Sequence, residues 1–140
     1  MYSSTENQMD KIVLITGASS GIGRGCAGKF ASEGARIILN SRSADKLESL
    51  AKELEDKYDA KCYVLPFDVR DRKAAAEALA SLPDEWKAID ILINNAGLAL
   101  GTDKEHEGCM EEWDVMIDTN IKALLSMTRI VVPGMLERGR

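Results

Sequence analysis

Four short runs are apolar at almost every position: KIVLIT at 11–16, RIILNS at 36–41, CYVLPF at 62–67 and DILINN at 90–95. Continuous runs of this length suit strands covered on both faces, as in a parallel sheet with helices on either side. Between them the spacing turns helical near 22–33, 43–57 and 71–81. Ser43 and Asp71 stand where N-terminal caps belong, and Gly34 stands where the first helix should stop. The pattern βαβαβαβα predicts an α/β fold, an open doubly wound parallel sheet with right-handed crossovers. No repeat, low-complexity tract or linker divides the chain, so residues 1–140 are expected to form a single domain.

The last segment, 111–137, carries apolar residues at Trp113, Met116, Ile117, Ile121, Leu124, Leu125 and Val131, with the methyl of Thr128 on the same stripe. Met127, Ile130 and Val132 continue around the helix, so the stripe is wider than one sheet contact requires. Two readings stay open: a helix buried between the sheet and its neighbours, or a surface for a partner subunit. Pro133 is expected to kink or end this helix.

Composition narrows the picture. The chain has 140 residues with 45% apolar and 29% charged content, which suits one globular domain. A net charge of -5 speaks against a nucleic-acid partner, which would need clustered Lys and Arg. The N-terminus does not read as a signal peptide, and no apolar run approaches a bilayer's thickness, so no membrane role is expected. Three scattered cysteines, Cys26, Cys62 and Cys109, argue against a disulfide framework and point to a reducing, cytoplasmic setting. His106 is the only histidine, and a histidine-based metal site is excluded.

The chemistry concentrates at VLITGASSGIGRG, residues 13–25. A helix beginning near Ile22 presents unpaired N–H groups and the positive end of its dipole, which together receive an anion. A pyrophosphate reaches those donors only if side chains stay clear, a condition that Gly17, Gly21 and Gly23 meet; Gly17 also allows a turn with positive φ. The general G-x-G-x-x-G fingerprint fails because Cys26 holds its third position, and no Gly-Lys-Ser/Thr follows to make an ATP-type loop. TGASSGIG, at 16–23, closely resembles the cofactor loop of the short-chain dehydrogenases/reductases. That resemblance implies a Rossmann-like doubly wound parallel sheet, here truncated after the fourth strand and its following helix. It also implies cofactor contacts from Gly17, Ser19, Ser20, Gly21, Ile22 and Gly23.

In dinucleotide folds an acid at the end of the second strand accepts from a free ribose 2′-hydroxyl, whereas an arginine accommodates a 2′-phosphate. Here that strand ends Asn40-Ser41-Arg42, with no acid before Asp45. Arg42 therefore favours NADP over NAD, its planar fork matching a phosphate; a surface arginine near the next helix is the plainer alternative. The resemblance puts Asp68 and Val69 at the adenine. Alternatively, Asp68 caps the helix that begins near Asp71.

The fourth run ends in ILINNAG, and amides at a strand's carboxyl end can pin loops where ligands bind. The resemblance makes Asn95, Ala96 and Gly97 cofactor-lining and Asn94 structural. It gives Asn120, in MIDTNIKA, a catalytic part, its backbone carbonyl helping to hold a water in a proton relay. The phrase NNAGLALGTDKEHEG resembles the branch that oxidises 3-hydroxy acids, and family members commonly pair through the long helix, so a homo-oligomer through 111–137 is expected.

The family's acid/base tyrosine, with a lysine four positions later, and its substrate-orienting serine are not found. Tyr2, Tyr58 and Tyr63 are followed at that spacing by Glu6, Cys62 and Phe67. The strand at 90–95, apolar on both faces, also calls for a further neighbour. The expectation is a fragment or truncated product without turnover of its own. Three functions remain in play: the cofactor half of an NADP(H)-dependent oxidoreductase acting on a small hydroxy or carbonyl compound, a non-catalytic NADP(H)-binding module, or an interaction fragment.

Overall fold

The computed structural model describes residues 10–19, 21–95, 111 and 121–139. Its strands are β1 (Ile12–Ile15), β2 (Arg36–Leu39), β3 (Cys62–Val64) and β4 (Ile91–Ile93). Its α-helices are α1 (Gly21–Ser32), α2 (Ala44–Tyr58), α3 (Arg72–Ala80) and α4 (Ala123–Arg138), with a 3-10 turn over Asp84–Trp86. The strands pair in parallel in the order β3-β2-β1-β4, with Leu14 level with Ile38 on one side and Leu92 on the other. The Rossmann-like, doubly wound α/β class is thus the observed one.

Alternation along the strands builds two cores. Ile12, Leu14 and Ile38 point to one face and pack with Ala75, Leu79, Trp86, Met127 and Val131 from α3, the 3-10 turn and α4. Val13, Ile15, Ile37 and Leu39 point to the other and pack with Ala27, Ala31, Leu47, Leu50 and Leu54 from α1 and α2. β1 is buried throughout, as a strand with neighbours on both sides should be. β4 pairs only with β1 among the described residues, and Ile91, Leu92 and Ile93 are half-buried.

The caps follow expectation. Ser43 accepts from the Lys46 N–H at 3.4 Å, Asp71 accepts from the Ala74 N–H at 3.0 Å, and Gly34 follows α1 with φ of 88°. Asp71→Ala should lower stability by about 1 kcal/mol, the usual loss when a capping acceptor is removed; thermal denaturation followed by circular dichroism checks it. β3 is shorter than the run 62–67 because Pro66 has no N–H to donate. Its neighbours still bond to β2's side, Leu65 N–H to Leu39 O at 2.9 Å and Phe67 N–H to Ser41 O at 3.1 Å.

One expectation for the last segment is narrowed and one is corrected. Pro133 does not end α4, which runs on to Arg138. Arg129 and Pro133 are both exposed, so water can take the carbonyl that the ring leaves unbonded. Beyond the proline, the Arg138 guanidinium donates to Ile89 O and ties the helix end to β4's approach. The buried face is Ala123, Met127 and Val131, whereas Ile121, Leu124 and Leu125 are exposed. A helix apolar on nearly every side leaves its facing undetermined by periodicity; the small Ala123 faces the core and lets α4 approach it closely. Trp113, Met116 and Ile117 lie outside the described residues. Among the described residues no helix is long and apolar enough to cross a membrane.

Candidate functional site

β1 delivers the chain to the carboxyl edge of the sheet, where Thr16–Ser19 turn it into α1. Gly17 has φ of 63° and Gly21 of 59°, the left-handed region that L side chains avoid. A Cβ built on Gly21 would meet nothing within 4 Å, so the ground above the helix start is open. α1 has no acidic residue in its first turn, and its N–H groups face that ground without a competing carboxylate. Ile22 beside them is 77% exposed, and Ser19 is half-buried.

Gly23 has a packing role that the sequence reading did not name. It is buried, and a Cβ there would lie 2.2 Å from Gly17 O and 2.4 Å from Asn95 Nδ2. Its bareness lets α1 press against the turn and the chain just past β4. Asn95 does the pinning, donating from Nδ2 to Gly17 O at 3.1 Å and from its main-chain N–H to Thr16 Oγ1 at 3.0 Å. Thr16 is itself buried and donates through Oγ1 to Ile93 O at 3.3 Å. Thr16 was missed as a positioning residue; a hydroxyl closing an apolar strand was the available signal. Asn94 is structural as expected, bonding Thr128 Oγ1 on α4 at 3.2 Å.

At the tip of β2, Asn40 is buried and joins three segments. Its Nδ2 donates to Leu65 O and Phe67 O at 3.0 and 3.2 Å, and its main-chain carbonyl accepts from the Ala18 N–H at 2.8 Å. The glycine turn is thereby tied to the tips of β2 and β3, a role sequence reasoning gave no residue. Arg42 follows, exposed. Asp68, past β3, does not cap α3, since Asp71 does so itself. Its carboxylate instead accepts from Arg70 through the main-chain N–H, Nε and Nη2. Those bonds hold the Asp68 carboxyl below its ordinary pKa against partial burial, with the charges of Arg70 and Arg42 adding to the effect. Val69 turns its side chain into the core, so what it can offer a ligand is main chain.

Ser20, Ala96, Gly97 and Asn120 lie outside the described residues, as do His106 and Cys109. Burial, and then Glu55, push the Cys62 thiol up to about 11, which leaves it protonated and poorly nucleophilic near neutrality. Among the described residues no cluster of His, Cys, Asp and Glu could hold a metal ion.

A parallel sheet of this order, with a bare first crossover at its carboxyl edge, is a Rossmann-like domain. The chain belongs to the short chain dehydrogenase family, whose sequence model matches residues 11–140. It is similar to the NADP-dependent 3-hydroxy acid dehydrogenase YdfG of Escherichia coli strain K12, 49% identical over 127 residues, 91% of this chain and 50% of that protein. Among solved structures it resembles serine dehydrogenase from Escherichia coli, with 49% identity and a TM-score of 0.83 over 91% of this chain and 57% of that one. It also resembles L-sorbose reductase from Gluconobacter frateurii in complex with NADPH and L-sorbose, with 34% identity and a TM-score of 0.84 over 94% and 49% of the two chains. The chain spans about half the length of the curated relatives it matches.

Proposed function

We propose that these residues form the cofactor half of an NADP(H)-dependent oxidoreductase acting on a small hydroxy or carbonyl compound, a 3-hydroxy acid being the favoured class. The observation that carries the reading is the open, carboxylate-free start of α1 with exposed Arg42 at the neighbouring strand tip. The names of the relatives support it, one an NADP-dependent 3-hydroxy acid dehydrogenase and another a reductase bound to NADPH.

The residues fit such a nucleotide. The α1 amides receive the pyrophosphate over Gly21, Ile22 and Ser20, and Ser19 lies on the same turn. Arg42 would hold the 2′-phosphate, Asp68 and the Val69 main chain the base, and Asn95, with Ala96 and Gly97 as the family resemblance implies, the ribose. The bound dinucleotide supplies hydride transfer to or from carbon. This chain's part is to bind and orient it, with Asn120 helping to hold a water for proton transfer. No Tyr-x-x-x-Lys occurs in the 140 residues, and a phenol without such help is a poor base near neutrality. That observation favours a second reading, an NADP(H)-binding module without turnover. A homo-oligomer is proposed through 111–137, where Ile121, Leu125 and Leu136 are exposed.

Titration of the purified chain with NADPH, followed by nicotinamide fluorescence, tests the reading. Saturable binding without oxidation of 3-hydroxy acids is the expected result. No binding would leave only an interaction role, and cofactor-dependent turnover in a clean preparation would overturn the assignment of catalysis to residues other than these.

A further inference from the structure

We propose that Arg70 is a positioning residue that fixes the acceptor face of Asp68 and so selects the nucleotide's base, admitting a 6-amino purine in preference to a 6-oxo purine. The inference rests on the nucleotide reading above. Arg70 grips both carboxylate oxygens. Its main-chain N–H and Nε donate to Oδ1 at 2.9 and 3.1 Å, while Nε and Nη2 donate to Oδ2 at 3.2 and 2.7 Å. The two residues stand two positions apart, so the clamp forms within one turn of chain and needs no ligand. Arginine and amide groups only donate, so the remaining lone pairs of Asp68 are acceptors. The Asp68 side chain is 32% exposed, leaving those lone pairs within a ligand's reach.

Arg42 places the base. Phe67 N–H donates to Ser41 O at 3.1 Å across the tips of adjacent strands, so the next residues, Arg42 and Asp68, follow from neighbouring positions. With the 2′-phosphate at Arg42, the base on the same ribose is one glycosidic bond away and lies against Asp68. A 6-amino group donates to the carboxylate, whereas a 6-oxo group sets oxygen against oxygen. A free carboxylate could swing to the N1–H of the oxo base. The Arg70 clamp denies it that movement.

Binding of NADPH and of its hypoxanthine analogue, by fluorescence titration, reads this out in the wild type, Arg70→Ala, Asp68→Asn and the double variant. The wild type is expected to prefer the 6-amino form by about tenfold, and Arg70→Ala by less than about twofold. Asp68→Asn should invert the preference, because Arg70 claims the amide oxygen at the Oδ1 position and turns the NH2 group to the base. Removing the Arg70 fork as well leaves only the residue-70 main-chain N–H on that oxygen and should reduce the inversion to less than about twofold. Arg70→Lys keeps the charge without the fork, is expected to behave as Arg70→Ala, and replaces it should the alanine variant misfold. Full discrimination retained without Arg70 refutes its role and leaves the nucleotide reading intact. Equal wild-type binding of both forms places the base away from Asp68 and refutes the inference. Binding of neither form removes the nucleotide reading itself.

Discussion

Arg42→Ala should weaken NADPH binding by roughly tenfold to a hundredfold, equivalent to ~1.5–3 kcal/mol, and leave NADH binding close to that of the unaltered chain. The asymmetry follows from chemistry. A guanidinium donates two parallel bonds to a 2′-phosphate dianion and finds only a weak partner in a 2′-hydroxyl. Arg42 is exposed and absent from the cores, so its loss should not disturb folding. Asp68 and Arg70 bond to each other across the same edge, which leaves part of Arg70's charge neutralised and makes Arg42 the stronger phosphate partner. Paired fluorescence titrations decide the matter, and equal losses for the two cofactors would refute the assignment.

Gly23→Ala should damage the fold far more than Gly21→Ala. Its Cβ would stand 2.2 Å from Gly17 O and 2.9 Å from Gly17 C, against main chain that cannot swing aside as a side-chain tip can. Gly17 is held at positive φ and by the Asn95 amide, so either α1 backs away or that hydrogen bond breaks. Overpacking costs about 1–3 kcal/mol and a lost hydrogen bond about 1 more, so destabilisation of ~2–4 kcal/mol is expected, with NADPH affinity falling at least about tenfold. Gly21→Ala is the comparison. It has open space and only the left-handed backbone to strain, at a cost of about 1–2 kcal/mol. Chemical denaturation of the two variants checks the order, and Gly23→Ala as stable as the parent would rule out the packing role.

What could be read from sequence was whatever is local. The runs KIVLIT and RIILNS became β1 and β2 because a strand buried on both faces is apolar without interruption, and Ser43, Asp71 and Gly34 act within a turn of where they stand. The positive φ of Gly17 was legible for the same reason. What escaped was carried by contacts between distant segments. Gly23 is small because of Asn95 on another strand, and Asn40 matters because Leu65, Phe67 and Ala18 converge on it. Nor could the sequence choose between adenine contact and helix capping for Asp68. The structure excludes the cap alone, because Asp71 takes it and Arg70 holds the Asp68 carboxylate. The facing of α4 was illegible because a nearly all-apolar helix has no polar side to mark its exterior.

The central claim is tested most directly by a crystal structure of the chain with NADP+. The account predicts the pyrophosphate on the main-chain amides at the start of α1, the 2′-phosphate on the Arg42 fork and the base beside Asp68. A nucleotide seated elsewhere, or one whose 2′-phosphate points away from Arg42, would contradict it.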